Sequence, residues 1–154
     1  MHDTQQLAEA LRLAVEPPGG VSVEALEDLV RGDECAPLDI AAMAERVGVS
    51  AHTLRYYERI GLIDVPRDHH GRRVYDAATV RRVVFLTRMR TAGMPISDLR
   101  RYVELVARGG QSIPERLDLL MEHRDTLRAQ ITRLQLALAA TEYKIATYGG
   151  ATQP

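Results

Sequence analysis

His52, Arg55, Tyr56 and Arg59 recur at intervals of three and four residues, so an α-helix through them would carry all four on one face. Guanidinium groups fork onto phosphate oxygens and base edges, and an imidazole and a phenol add further hydrogen-bonding capacity. Ser50 and Thr53 bring hydroxyls to the start of the same segment. About ten residues beyond it, Gly71 to Asp76 reads GRRVYD and supplies Arg72, Arg73 and Tyr75. The candidate DNA-contacting residues are therefore Ser50, His52, Thr53, Arg55, Tyr56, Arg59, Arg72, Arg73 and Tyr75.

Those side chains need a scaffold, and the flanking residues describe one. In Met43 to Ile60, MAERVGVSAHTLRYYERI, Ala44 is small enough for two helices to approach, and Gly48 suits a turn with positive φ. Val47, Val49, Leu54 and Tyr57 would share a small core on the opposite side from the reading face. Ser50 is the natural N-cap of the second helix. The spacing predicts a helix-turn-helix, with helices over Ile40 to Val47, capped by Asp39, and over Ala51 to Ile60, closed by Gly61. Leu62 to Val65 then alternates weakly and Pro66 stops it. With the polar tip at Arg67 to Arg72 and the return through Val74 and Tyr75, this segment reads as a wing beside the recognition helix.

Charge supports a nucleic-acid partner for the middle of the chain only. The 154 residues carry a net charge of −1, yet residues 1 to 36 hold two arginines against eight acids, and residues 37 to 110 hold thirteen arginines against eight acids. A basic middle that contains the helix-turn-helix is what phosphate neutralisation needs, and the acidic preface stands apart from it. No stretch approaches the ~20 apolar residues of a membrane span, and no cationic, apolar leader opens the chain. A soluble, cytoplasmic protein with no membrane partner is expected. Cys35 is the lone cysteine, which excludes an internal disulfide and a multi-thiolate metal site within one chain.

The remaining segments read as helices. Gln5 to Val15, with Leu7, Leu11 and Val15 on one stripe, and Val23 to Arg31 form the expected acidic extension over residues 1 to 36, broken by PPGG at 17 to 20. Asp76 can cap a helix from Ala77 to Ala92, with Val80, Val83, Val84 and Leu86 or Thr87 apolar. Ile96 to Ala107 is a further helix, with Leu99, Tyr102, Val103 and Val106 inward. Ser112 and Glu115 have the spacing of a capping box, with Pro114 in the first turn. From there Leu117, Leu120, Arg124, Leu127, Ile131, Leu134, Leu138, Thr141, Ile145 and Tyr148 alternate by three and four. Such a helix would be ~54 Å long, beyond what a small winged domain can cover, and a second copy is its simplest partner. The expected dimerisation residues are Leu117, Leu120, Leu127, Ile131, Leu134, Leu138, Ile145 and Tyr148. The fold expected is thus mostly α: a winged helix-turn-helix over residues 37–110, then a dimerisation helix over 111–150 and a tail at 151–154.

AERVGVSAHTLRYYERIGLI, the wing GRRVY and the following TRMRTAGMPISDL together resemble the MerR family of bacterial transcription regulators. The resemblance covers Leu38 to about Ala107 and extends more loosely to Tyr148. It implies a homodimer held by an antiparallel coiled coil, with two recognition helices in successive major grooves of a near-palindromic promoter operator. It also implies distortion of a long promoter spacer so that RNA polymerase engages both promoter elements, a form of indirect readout. By position, Arg73 matches the family's phosphate-binding arginine and Tyr75 its packing tyrosine. Arg72 stands where relatives often have an aromatic residue, which removes a brace and adds a phosphate contact.

The controlling signal is not encoded as plainly. Residues 107 to 154 lack cysteine, against soft-metal sensing, and the chain stops at Pro154 with no room for a large drug-binding domain. Small aldehyde- or electrophile-responsive members are nearest in look, with a KIxxY pattern at Lys144 to Tyr148. Their cysteine in the helix after the wing is absent here, with Arg88 in the middle of that helix. Cys35 lies beside Asp33 and Glu34, which disfavour its thiolate. Adjacent His69 and His70 at the wing tip read as polar surface. No cofactor or resident metal is expected and the effector is unknown. The alternative reading is a DNA-architectural or protein-interaction module without effector switching. For an enzyme there is no phosphate-binding glycine loop, nucleophile elbow or set of spaced metal ligands. The acidic extension, finally, has the charge to dock on the basic middle and compete with DNA.

Overall fold

The computed structural model describes residues 37–151 together with Gln5 and Ala8. Gln5 and Ala8 are helical. Otherwise the acidic extension with its two expected helices, Cys35, and residues 152–154 of the tail lie outside the described residues. In order come α1 (Ile40–Val47), α2 (Ala51–Arg59), α3 (Ala77–Thr91), α4 (Ile96–Ala107), a 3-10 turn (Gly110–Ser112) and α5 (Ile113–Ala151). Among the described residues, β structure is confined to two isolated antiparallel bridges, Leu38 with Tyr75 and Arg67 with Arg73. The mostly helical architecture with a long final helix is as expected. No helix among the described residues is long and apolar enough to cross a membrane. The chain divides into two units, residues 1–100 and 101–154, with the division falling inside α4.

The first unit is set by local chemistry at each helix start. Asp39 accepts from the Ala42 amide at 2.8 Å, Ser50 from the Thr53 amide at 3.1 Å, and Asp76 from the Thr79 amide at 2.9 Å, each satisfying a donor that a helix N-terminus leaves orphaned. Gly48, at φ 71°, reverses the chain after α1, and its amide and that of Val49 return to the Ala44 carbonyl. That turn positions α2 across α1. Met43, Ala44, Leu54 and Tyr57 are buried there, whereas Val47 and Val49 are only half-buried, so Met43 takes the central place that the valines were expected to share.

Between α2 and α3, Leu62, Ile63 and Val65 are all buried, so the segment is an apolar strap rather than an alternating strand. Tyr75 has no exposed surface, and its backbone exchanges two hydrogen bonds with Leu38, of 3.0 and 2.8 Å. Val80, Val83, Val84, Leu86 and Thr87 supply the buried face of α3, as the sequence pattern predicts.

In the second unit, two expectations need correction. Leu105 is buried, while Tyr102, Val103 and Val106 are half-buried. Ser112, wholly buried, donates through its hydroxyl to the carbonyls of Leu105 and Gly109, and Glu115 reaches Arg108 at 3.1 Å. The capping box is therefore replaced. The chain reverses so tightly through Gly109 that the hydroxyl meets carbonyl oxygens at the end of α4, and an acceptor is no longer its role. On α5 the buried positions are Leu119 and His123, with Leu120 and Leu127 half-buried, and every residue from Thr132 to Gly150 is exposed.

Candidate nucleic-acid interface

Helix α2 presents what its period requires. Leu54 and Tyr57 face the core, and His52, Arg55, Tyr56 and Arg59 face outward, with Tyr56 39% exposed although it is large and aromatic. The phenol of Tyr57 is raised above its ordinary pKa by burial, which the positive charge of Arg90 partly offsets. Ser50 and Thr53 spend part of their hydrogen bonding on each other, with hydroxyl oxygens 3.0 Å apart at the cap.

The wing tip is built around Asp68. The Gly71 amide donates to the Asp68 carbonyl at 2.9 Å, closing a turn with aspartate first and glycine, at φ 77°, last. The Asp68 carboxylate also accepts from the backbone amides of His70 at 2.8 Å and Arg72 at 2.9 Å. The Arg72 amide is the main reason its carboxyl sits below the usual carboxylate range. The rings of His69 and His70 lie 3.9 Å apart on this turn. Among the described residues, no group of three or more potential ligands could hold a metal ion.

Wing and recognition helix meet at Glu58. One carboxylate oxygen accepts from Arg73 Nε at 2.7 Å and the other from Arg67 at 3.0 Å. Arg67 also reaches the Gly71 carbonyl at 3.4 Å. Arg73 is half-buried in this pairing, whereas Arg72 is exposed and leans on Asp68 at 3.4 Å. A basic groove of about 390 Å³ opens beside them, lined by Arg67, Gly71, Arg72 and Arg73 of the wing and by Asp39, Ile40 and Ala41 at the start of α1.

Of the nine candidate contacts, Tyr75 is the one the structure removes from the surface: wholly buried, it packs under the wing and cannot reach a ligand there. Burial is the main force raising its hydroxyl pKa, with the charges of Arg73, Glu58, Arg55 and Arg67 acting around it. Its oxygen has no hydrogen-bond partner. Glu58, Arg67 and Asp68 were missed. The Asp68-to-Gly71 spacing was a readable turn signal. Glu58 was not readable as an interface residue, because its pairing spans fifteen positions to Arg73.

Comparison with known proteins agrees with this geometry. The family model for MerR HTH family regulatory proteins matches residues 38–105, and that for the MerR DNA-binding region matches residues 80–140. An HTH-type transcriptional regulator of Haemophilus influenzae is 35% identical over 109 residues, 70% of this chain and 81% of that one. The HTH-type transcriptional regulator AdhR of Bacillus subtilis is 38% identical over 91 residues, 58% of this chain and 65% of its own. The crystal structure of HiNmlR, a MerR family regulator lacking the sensor domain and bound to promoter DNA, aligns with a TM-score of 0.69 at 33% identity, covering 74% of this chain and 87% of that one. With its outward-facing α2, its arginine-bearing wing and these relatives, the chain belongs to the MerR family of DNA-binding transcriptional regulators.

Proposed function

We propose that the protein acts as a homodimer on a near-palindromic promoter operator, reading it with α2 of each protomer and changing transcription by distorting a long promoter spacer for RNA polymerase. Residues 37–110 would be the reading module and 111–150 the dimerisation helix. The observation that carries the dimer is the apolar stripe left open along α5: Leu117, Ile131, Leu134, Leu138, Ile145 and Tyr148 are 44–70% exposed over some 31 residues. An apolar stripe ~46 Å long is far larger than the scattered apolar surface of a monomer.

The spacing of that seam supports an antiparallel pairing. Its ten positions are symmetric about the gap between Thr132 and Arg133, so a two-fold axis there sets Leu117 against the partner's Tyr148, and Ile131 against the partner's Leu134. Both polar seam residues then coincide, Arg124 lying against the partner's Thr141, and every other pair is apolar. A parallel pairing would bring two Arg124 side chains together and gains no such match.

The test is footprinting, followed by transcription reconstituted on a promoter with a long spacer and on one shortened to ordinary length. A two-fold-symmetric footprint and an effect on open-complex formation confined to the long spacer are expected. Binding without any effect on open-complex formation would instead favour an architectural module. Within this reading, Arg72→Ala should weaken binding about equally on operator and scrambled duplex and lower the salt slope by about 1, the mark of one phosphate contact. A loss confined to the operator would remove Arg72 from that role.

A further inference from the structure

Glu58 is an acid in the middle of a surface whose partner is a polyanion. Helical periodicity puts it on the flank of α2, three residues from outward-facing Arg55 and one from buried Tyr57. From there it engages both wing arginines, Arg73 at 2.7 Å and Arg67 at 3.0 Å, with its own side chain 21% exposed. The two guanidinium groups thus converge on one carboxylate, two cations on one anion, within the span of the wing and the end of α2.

The wing is closed on itself by the Asp68 turn and the Arg67–Arg73 bridge, and these set its shape but not its place beside the reading helix. We propose that Glu58 is a positioning and specificity-determining residue of the DNA interface: its carboxylate fixes Arg67 and Arg73 relative to α2 and occupies donors that would otherwise take any phosphate. Phosphate contacts then form only when base edges and backbone are both in register, so Glu58 trades general affinity for discrimination. The inference rests on the operator reading above and names the residue that couples its two halves.

The experiment compares wild type, Glu58→Gln and Glu58→Asp on two duplexes across a range of salt. One duplex is the sequence wild type selects from a randomised library, and the other is its scrambled version. Glutamine removes the charge but keeps the reach, and aspartate keeps the charge but shortens the reach by one methylene. For Glu58→Gln, binding to the scrambled duplex should tighten about five- to tenfold near 0.1 M salt and the salt slope should steepen by about 0.9, as one extra uncompensated cation implies. Binding to the selected duplex should move by less than about twofold, so the specificity ratio falls. Glu58→Asp should leave scrambled binding and slope unchanged and weaken selected binding several-fold.

A merely structural Glu58 would lower both affinities in parallel with thermal stability. That result overturns the proposal, as does a Glu58→Gln protein with the wild-type slope and ratio. Wild-type binding of the selected duplex by Glu58→Asp would show that reach is irrelevant and overturn the positioning role. If wild type selects no sequence at all, the operator reading fails first and this inference falls with it. Selection by wild type with no change in the variants fails this inference alone.

Discussion

The reading head and the long helix solve the burial problem in opposite ways. In residues 37–100 every helix is short, each of α1, α2 and α3 starts on a side-chain cap, and the apolar side chains Met43, Leu54, Leu62, Tyr75, Val80, Val83 and Leu99 have no exposed surface. In α5, thirty-nine residues long, the apolar residues from Leu134 to Tyr148 are all exposed. Short elements can cover one another, because each needs only a turn or two of neighbour. A rod of ~58 Å cannot be covered by its own chain, and it persists only where something packs along it. The head therefore carries its stability within one protomer, and the rod is proposed to draw its own from association.

The largest effect should come from attacking the rod. In the proposed dimer Leu134→Glu would place a carboxylate opposite the partner's Ile131 twice, and dimerisation should weaken about a hundredfold or more, since each buried leucine is worth ~1.5–3 kcal/mol and a buried unpaired charge costs more. Sedimentation equilibrium reads the change, and the monomer should keep its near-UV signal from the head. A Leu134→Glu protein that stays dimeric would show that α5 pairs in another register.

Next is the head. Met43→Ala empties a fully buried site and should cost about 2–5 kcal/mol in denaturant unfolding, without any dependence on protein concentration. A concentration-dependent loss would mean that the head also leans on the partner, and the contrast between the two regions would narrow.

Asp76→Ala should cost about 1 kcal/mol by removing the α3 cap. The Asp76 carboxyl is held below its ordinary range, first by the Thr79 hydroxyl at 2.7 Å and then by the Thr79 amide. Its folded pKa thus lies below its unfolded one, so the stabilisation is complete above the ordinary carboxylate range and disappears as pH falls through the folded value. The melting temperatures of wild type and Asp76→Ala should begin to approach each other only below about pH 4 and meet once the pH is beneath the folded value. Parallel pH profiles would exclude the cap as the source.

Smallest should be Tyr75→Phe. The hydroxyl is buried without a partner, so its loss should change stability by less than about 1 kcal/mol, in the stabilising direction if at all. A loss above ~2 kcal/mol would reveal that the oxygen is bonded in solution to one of the charges around it.

How much of this was legible follows the same contrast. Helix limits in the head were readable to within a residue because their determinants are local: Asp39, Ser50 and Asp76 cap by reaching three residues ahead, and Gly48 turns by its own φ. The outward set of α2 was readable from period alone. What escaped depends on the path of the wing. Tyr75 sits in a motif of basic contacts but is drawn inward by its bridge to Leu38, and Glu58 meets arginines nine and fifteen residues away. The Ser112–Glu115 spacing misled because a capping motif presumes free chain before the helix, and here α4 ends shortly before, at Ala107, with its carbonyls facing back.

The uncovered seam of α5 also bears on dosage. If the protein works as the proposed dimer, a protomer alone presents one reading head, and the proposed symmetric operator requires two joined at fixed separation. Below the dimerisation constant the paired form scales with the square of protomer concentration, so a twofold fall in synthesis lowers it about fourfold. A promoter governed in this way would respond as a threshold to how much of the chain the cell makes or degrades, before any ligand is involved.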